Sequence, residues 1–383
     1  MLDNSLERER VGSYRAYLRQ QPVMLVLLFV LAVFCFAAVA VLSKAYHAQR
    51  EAIGDRWFQR GVADLSAKRY DAAVTDFRAA LLYSRDNYDY QLNLAEALIG
   101  QKRIGEASAY LLNLWDREPD DGLVNLELAR IAAQKGQVQQ AIRYYHDAVY
   151  AAWPEDQETN RREARLELIE LLLQKNQRAQ AESEVIALAA NAGDEPRLLA
   201  RLGDLFVRTL DYERAFSAYR LSLKSDRHNP ATLAGAGLAA FELGLYQVAD
   251  KYLEAAIKAN PSDAASAERL KTAELILKMN PFQRQLSTEQ RNEIVVNDFA
   301  VAGERLNACS TASGGDSQAA LVERYSKLKP RITKTGLRRS PDLAETAMDL
   351  VFDIERQTGA ACGPPNEADQ ALSLIANLHE GNQ

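Results

Sequence analysis

The 383-residue chain is 48% hydrophobic and 26% charged, with a formal net charge of -6. Those proportions fit a folded globular chain and exclude a disordered one. A mildly acidic total with no basic face excludes a nucleic-acid binder, and four histidines leave little for a metal centre.

Residues 1–21 alternate acid and base (Asp3, Glu7, Arg8, Glu9, Arg10) and read as a short cytoplasmic tail. Residues 23–42 hold no charge and no hydrogen-bonding side chain other than Cys35. At about 1.5 Å per residue, such a run makes a helix of about 30 Å, the hydrocarbon thickness of a bilayer. Pro22 fits its first turn, so residues 22–43 are expected to cross a membrane once. Ala38 and Ala40 offer a small-x-small cleavage site. The apolar run is longer than the core of a cleaved signal, however, which favours an uncleaved signal anchor. Cys35, in mid-span, lacks the small-residue setting of a lipoprotein. Arg8, Arg10, Arg15 and Arg19 before the span outnumber Lys44, Arg50 and Arg56 after it. That excess favours an N-terminus inside a bacterial inner membrane, with the bulk of the chain in the periplasm. The inverted topology, with the same chain facing the cytoplasm, is the alternative.

Beyond the span one alanine recurs: Ala73, Ala107, Ala141, Ala181, Ala215 and Ala249, at intervals of 34, 34, 40, 34 and 34 residues. Twelve residues before each stands Gly61, Ala95, Ala129, Ile169, Gly203 or Gly237, mostly small. Four residues after each stands Phe77, Leu111, Tyr145, Val185, Tyr219 or Leu253, all bulky. The small residue is expected to face the alanine where two helices cross. Pro119 and Pro261, each twelve residues after an alanine, end helices and force a turn to the next unit. The six extra residues of the long interval fall at 153–158, a polar, acidic stretch with a proline, read as a lengthened turn. Trp153 there is a candidate partner contact if exposed. Ile169, in place of a small residue, predicts a wider crossing in the fourth unit.

Residues 262–279 place Leu270, Ala273 and Leu277 on one stripe and read as a helix capping the array. From residue 281 the period is lost. Ser287 with Gln290 makes a capping box for a helix to about 310, and three more helices are expected at 318–328, 341–357 and 366–379. Together they form a small helical domain over 281–383. Cys309 and Cys362 are candidates for a disulfide, which requires an oxidising compartment; two unrelated buried thiols are the other reading. Joined, they close a loop of roughly 50 residues and add roughly 4 kcal/mol of stability. The basic run Lys327, Lys329, Arg331, Lys334, Arg338 and Arg339 is read as a solvated connecting loop, against contact with anionic headgroups or envelope polymer.

The 34-residue period, with its small, alanine and bulky positions, resembles the tetratricopeptide repeat (TPR), a helix–turn–helix unit that stacks into a solenoid. The resemblance covers residues 54–261 as six repeats and implies an all-α fold. It departs from the family pattern at Asp64, where a large residue is usual, and at Ile169. It implies a scaffold or adaptor that holds protein partners in a groove lined by the first helix of each repeat. The family's contact positions map onto Phe58 and Leu65 in repeat one, Glu96 in two, and Arg130 and Gln134 in three. They continue with Glu170 and Gln174 in four, Asp204 and Arg208 in five, and Phe241 in six. Relatives that grip a C-terminal carboxylate use Lys and Asn at such places. Glu96, Glu170 and Asp204 point instead to a partner segment carrying basic residues. No HExxH, phosphate loop or G-x-S-x-G occurs, so no catalytic, metal or cofactor site is expected. The expected partners are proteins and the membrane, not nucleic acid. This reads as a membrane-anchored scaffold that assembles or stabilises a cell-envelope complex. The alternative is a cytoplasm-facing adaptor that recruits regulators or proteases, and an enzyme with its site in residues 281–383 is least supported.

Overall fold

The computed structural model describes residues 3–153, 156–313, 318–362 and 365–381. Among them the fold is all-α: eighteen helices, no strand, and one isolated bridge between Asp121 and Ala152. The chain divides into two compact units, Met1–Leu171 and Leu172–Gln383.

The first unit opens on α1 (Asp3–Ser66), 64 residues without a break. It begins well before Pro22, because the acid–base run ahead of the proline is itself made of helix formers. It also runs on past the apolar stretch, where no Gly/Pro/Ser cluster interrupts it, and becomes the first helix of repeat one. The apolar part of α1 has a mean hydropathy of 3.2 with none of it buried, long and apolar enough to cross a membrane. Next come α2 (Tyr70–Tyr83), α3 (Tyr88–Gly100), α4 (Ile104–Arg117), α5 (Gly122–Gln134) and α6 (Val138–Tyr150). The last helix of the unit, α7 (Gln157–Gln174), spans the division between the two.

In the second unit α8 (Arg178–Ala189), α9 (Pro196–Thr209), α10 (Tyr212–Ser225), α11 (Pro230–Glu242) and α12 (Tyr246–Ala259) complete the repeats. Then follow α13 (Ala264–Met279), α14 (Thr288–Ser313), α15 (Ala319–Leu328), α16 (Lys334–Arg339), α17 (Asp342–Ala361) and α18 (Glu367–Gly381).

All six recurring alanines are fully buried. Where the residue twelve before is glycine, it lies closely against the bulky residue four after the alanine. A Cβ on Gly61 would lie 2.6 Å from the Phe77 ring, one on Gly203 2.5 Å from Tyr219, and one on Gly237 2.7 Å from Leu253. In these three repeats the missing Cβ makes room for the bulky side chain, so the two positions exchange size across the interface.

A second register runs beside the first. Five residues before each alanine the backbone turns left-handed, at Lys68, Lys102, Gly136, Asn176, Leu210 and Gly244, with φ between 57° and 72°. There the first helix of each repeat ends and the chain reverses into the second. Only Gly136 and Gly244 take that conformation without a Cβ penalty.

Caps fix the starts of α3, α5, α10, α11 and α13, where Asn87, Asp121, Asp211, Asn229 and Asp263 each accept a backbone N–H three residues on. Ser287 and Gln290 make the expected reciprocal box, and Asn366 and Asp369 form a second one at α18.

The helix α13 is less a terminal cap than a shared wall. Its Ala273, Ile276 and Met279 enter a core that continues through Val295, Phe299, Leu306, Val351 and Ile375 of the later helices. The predicted stripe residues Leu270 and Leu277 are half-buried beside it. The C-terminal helices therefore cover the apolar face that α13 presents. Cys309 on α14 and Cys362 at the end of α17 are brought together, with Cα atoms 5.4 Å apart, inside the range of a disulfide. Gln318 is buried against both sulfurs.

Candidate protein-binding surface

In the first unit the contact positions fall into two kinds. Phe58 is half-buried and stacks on Tyr90, ring centroids 5.0 Å apart, and tilts against Phe77 at 5.7 Å. Leu65 is half-buried against the same core. Asp64 beside it is buried and paired with Arg69, which explains how a carboxylate stands where the repeat pattern has a large apolar residue. The apolar end of the expected groove is thus largely spent on packing.

The other positions form a charged face. Arg130 of α5 holds Glu127 at 2.5 Å and reaches Glu167 of α7 through Nε, at 3.0 Å and 3.2 Å, and through Nη2, at 2.5 Å. Tyr145 donates to the same Glu167 at 3.0 Å. One guanidinium thus ties the first helices of repeats three and four, which places these positions on a common surface. The Glu167 hydrogen bond and the neighbouring carboxylates push the Arg130 pKa up. Burial, helped by Glu167, holds the Tyr145 phenol above its usual range. On α3, burial raises the Glu96 carboxyl and the Glu127 carboxylate raises it further, so α3 and α5 also face each other here. Glu127 and Glu167 hold one arginine, and with Glu96 facing Glu127 the surface is net negative. Gln134 is exposed and Glu170 half-exposed.

In the second unit Gln174, Asp204 and Arg208 are exposed. Asp204 accepts the Tyr219 hydroxyl at 2.7 Å; burial first, and then this bond, hold that phenol far above its ordinary value. Phe241 is half-buried, with its ring 5.1 Å from Tyr246 and its side chain against the C-terminal core.

Two other sequence expectations meet a different outcome. Trp153 is buried, its indole donating to the Ala148 carbonyl at 3.0 Å and its ring lying over Gly122. It anchors the long turn instead of offering a contact; Pro154 and Glu155 lie outside the described residues. The basic run is not all loop. Residues Lys334–Arg339 form α16, and Lys334 pairs with Glu293 at 2.8 Å, Arg338 with Glu289 at 3.4 Å and Lys327 with Glu323 at 2.5 Å. Glu289 and Glu293 answer it from α14, where local sequence does not show them, whereas Glu323 is four residues away on the helix of Lys327. Among the described residues no group of three or more His, Cys, Asp and Glu side chains stands ready for a metal.

Stacked helix pairs with a small-for-bulky exchange and an open first-helix face define a helical-repeat binding protein. Models of the tetratricopeptide repeat match residues 64–131 and 231–263, and the chain carries TPR repeats. Its fold is a TPR-like solenoid with one long apolar N-terminal helix. No curated protein matches it. Among solved structures it is similar to pilF of Pseudomonas aeruginosa, at 17% identity and TM-score 0.41 over 57% of this chain and 97% of that one. It is also similar to YrrB, a TPR protein with an unusual peptide-binding site, at 14% identity and TM-score 0.42 over 51% and 97% of the two chains. A third is the C-terminal part of a TPR protein from Cytophaga hutchinsonii, at 14% identity and TM-score 0.44 over 80% and 99%.

Proposed function

We propose that the protein is a single-pass membrane scaffold whose first unit binds a basic segment of a partner protein. The carrying observation is the acidic face on adjacent first helices, where Glu127 and Glu167 hold Arg130 and Glu96 faces Glu127. Glu96 and Arg130 stand at positions that TPR repeats present to partners, and carboxylates on such a face select Lys and Arg. The unbroken helix α1 supports the anchor, since it joins the apolar stretch to repeat one with no flexible tether. The cysteine pair supports placing the bulk of the chain in the periplasm, where it would hold an envelope complex together.

The test is a photo-reactive residue at Gln134, activated in intact membranes. A discrete crosslinked protein is expected, and Glu96→Lys should abolish it. A crosslinking pattern indifferent to that charge reversal removes the reading.

A further inference from the structure

The first unit carries a cleft that the TPR reading does not use. It lies among α1, α2, α3 and α4, has a volume of about 1060 Å³, and is lined by Arg50, Arg78, Arg85, Gln91 and Tyr110 among others. Asp86 is the single carboxylate of its lining. Arg78 is engaged with Glu106 at 2.9 Å, while Arg85 is exposed on the turn after α2. Arg50 gives one donor to the Leu82 carbonyl at 2.9 Å. That bond takes one donor, and the guanidinium carbon lies 5.9 Å from the Tyr46 ring, which leaves its other N–H groups to bind elsewhere. Gln91 is buried; its amide nitrogen donates to the Arg85 carbonyl at 2.8 Å, and its Oε1 has no hydrogen-bond partner in the protein.

The position of this cleft along α1 gives it a partner. Helix α2 packs back along α1, so its end, with Leu82, Tyr83 and Arg85, returns to the level of Arg50. Arg50 stands eight residues past Leu42, the last of the apolar run, or about 12 Å along a continuous helix. The polar layer of a bilayer is roughly 5–7 Å thick on each side. Side chains on α1 incline toward its N-terminus, which here means toward the bilayer, so long cations reach down to it. Leu82 at 77% exposed and Tyr46 at 60% lie at the same end, as apolar and amphipathic side chains do at a membrane interface.

We propose that this cleft holds the headgroup of an anionic phospholipid, with Arg50, Arg78 and Arg85 on the phosphate and Leu82 resting on the bilayer surface. Guanidinium forks suit phosphate oxygens. The site rests on residues 22–43 crossing the membrane, because only then does the cleft open at the headgroup layer.

The test uses the full chain in nanodiscs of phosphatidylcholine alone or mixed with phosphatidylglycerol, read by native mass spectrometry after mild extraction. Retention of phosphatidylglycerol over phosphatidylcholine by about tenfold is expected, and the double variant Arg50→Gln, Arg85→Gln should lose it. Arg85→Gln alone, at an exposed side chain, should lower retention severalfold and guards against misfolding of the double variant. Equal retention of both lipids, or retention unchanged in both variants, overturns the proposal. So does soluble glycerol phosphate binding as tightly to chain held in phosphatidylcholine, which would make the site one for a free anion. A chain that does not enter nanodiscs at all overturns the membrane reading and this site with it, whereas entry without lipid preference overturns the site alone.

Discussion

The turn residues show what the repeat demands of a single position. Leu210 has φ of 69° and is 52% exposed, so its side chain returns little for the strain of a left-handed backbone. Replacing Leu210 by Gly removes the Cβ clash and should stabilise the chain by about 1 kcal/mol, read as a higher urea midpoint with an unchanged slope. Gly136 already has the freedom that Leu210 lacks, so Gly136→Leu should cost a similar amount. Trp153 makes the opposite case, since its ring fills the space that Gly122 leaves open. Trp153→Ala should cost about 3 kcal/mol and expose the ends of α5 and α6 to hydrogen exchange. Faster exchange confined to the long turn would mean that the indole holds the turn alone and not the two helix ends.

At the scale of the helix, α14 carries a buried carboxyl with a defined consequence. Burial pushes Asp298 from the ordinary 3.8 up to about 8, and its Oδ2 has no partner. Glu355 on α17 rises to about 8, first through burial and then through Asp369, against the opposing pull of Arg305. An acid whose folded pKa exceeds its unfolded one contributes stability fully below the unfolded value and loses it as pH rises through the folded value. The second unit should therefore weaken between about pH 4 and pH 8, by up to about 1.4 kcal/mol per pH unit for each such group. Asp298→Asn, which stays neutral, should flatten that slope; a variant with the parent's pH profile would assign the slope elsewhere. None of this was legible in the sequence, because Asp298 gains its burial from helices distant in the chain. What was legible is local or periodic. The buried alanines follow from the 34-residue period, and the helix starts at Ser287 and Asn366 from capping chemistry. The charged face was half legible: Glu96 and Arg130 fell at contact positions, but Glu127 and Glu167, which complete it, lie three residues off that register. The left-handed turn was missed because four of its six positions are not glycine.

At the scale of the whole molecule, the cysteine pair joins architecture to compartment. Cys309 and Cys362 are 53 residues apart in sequence and, joined, would tie the end of α14 to the end of α17. Cross-linking two chain points so far apart restricts the unfolded ensemble by about 4 kcal/mol. The C-terminal helices also cover α13, whose buried face leads on to the sixth repeat, so loosening them should expose that face too. Reductant should therefore lower the unfolding midpoint of the full chain, and Cys309→Ser with Cys362→Ser should lower it equally and make it insensitive to reductant. The same two thiols report topology without any fusion, since a cytoplasmic location would keep them reduced and a periplasmic one would allow them to pair. In rapidly quenched cells, alkylation of Cys309 and Cys362 only after reduction is expected, together with alkaline phosphatase activity from a reporter placed after Gln383. Free thiols at both positions, with a fluorescent and not a phosphatase-active fusion, would turn the scaffold round to face the cytoplasm. The acidic face and the lipid cleft would then serve partners and a leaflet on that side, because both are fixed to α1 and turn with it.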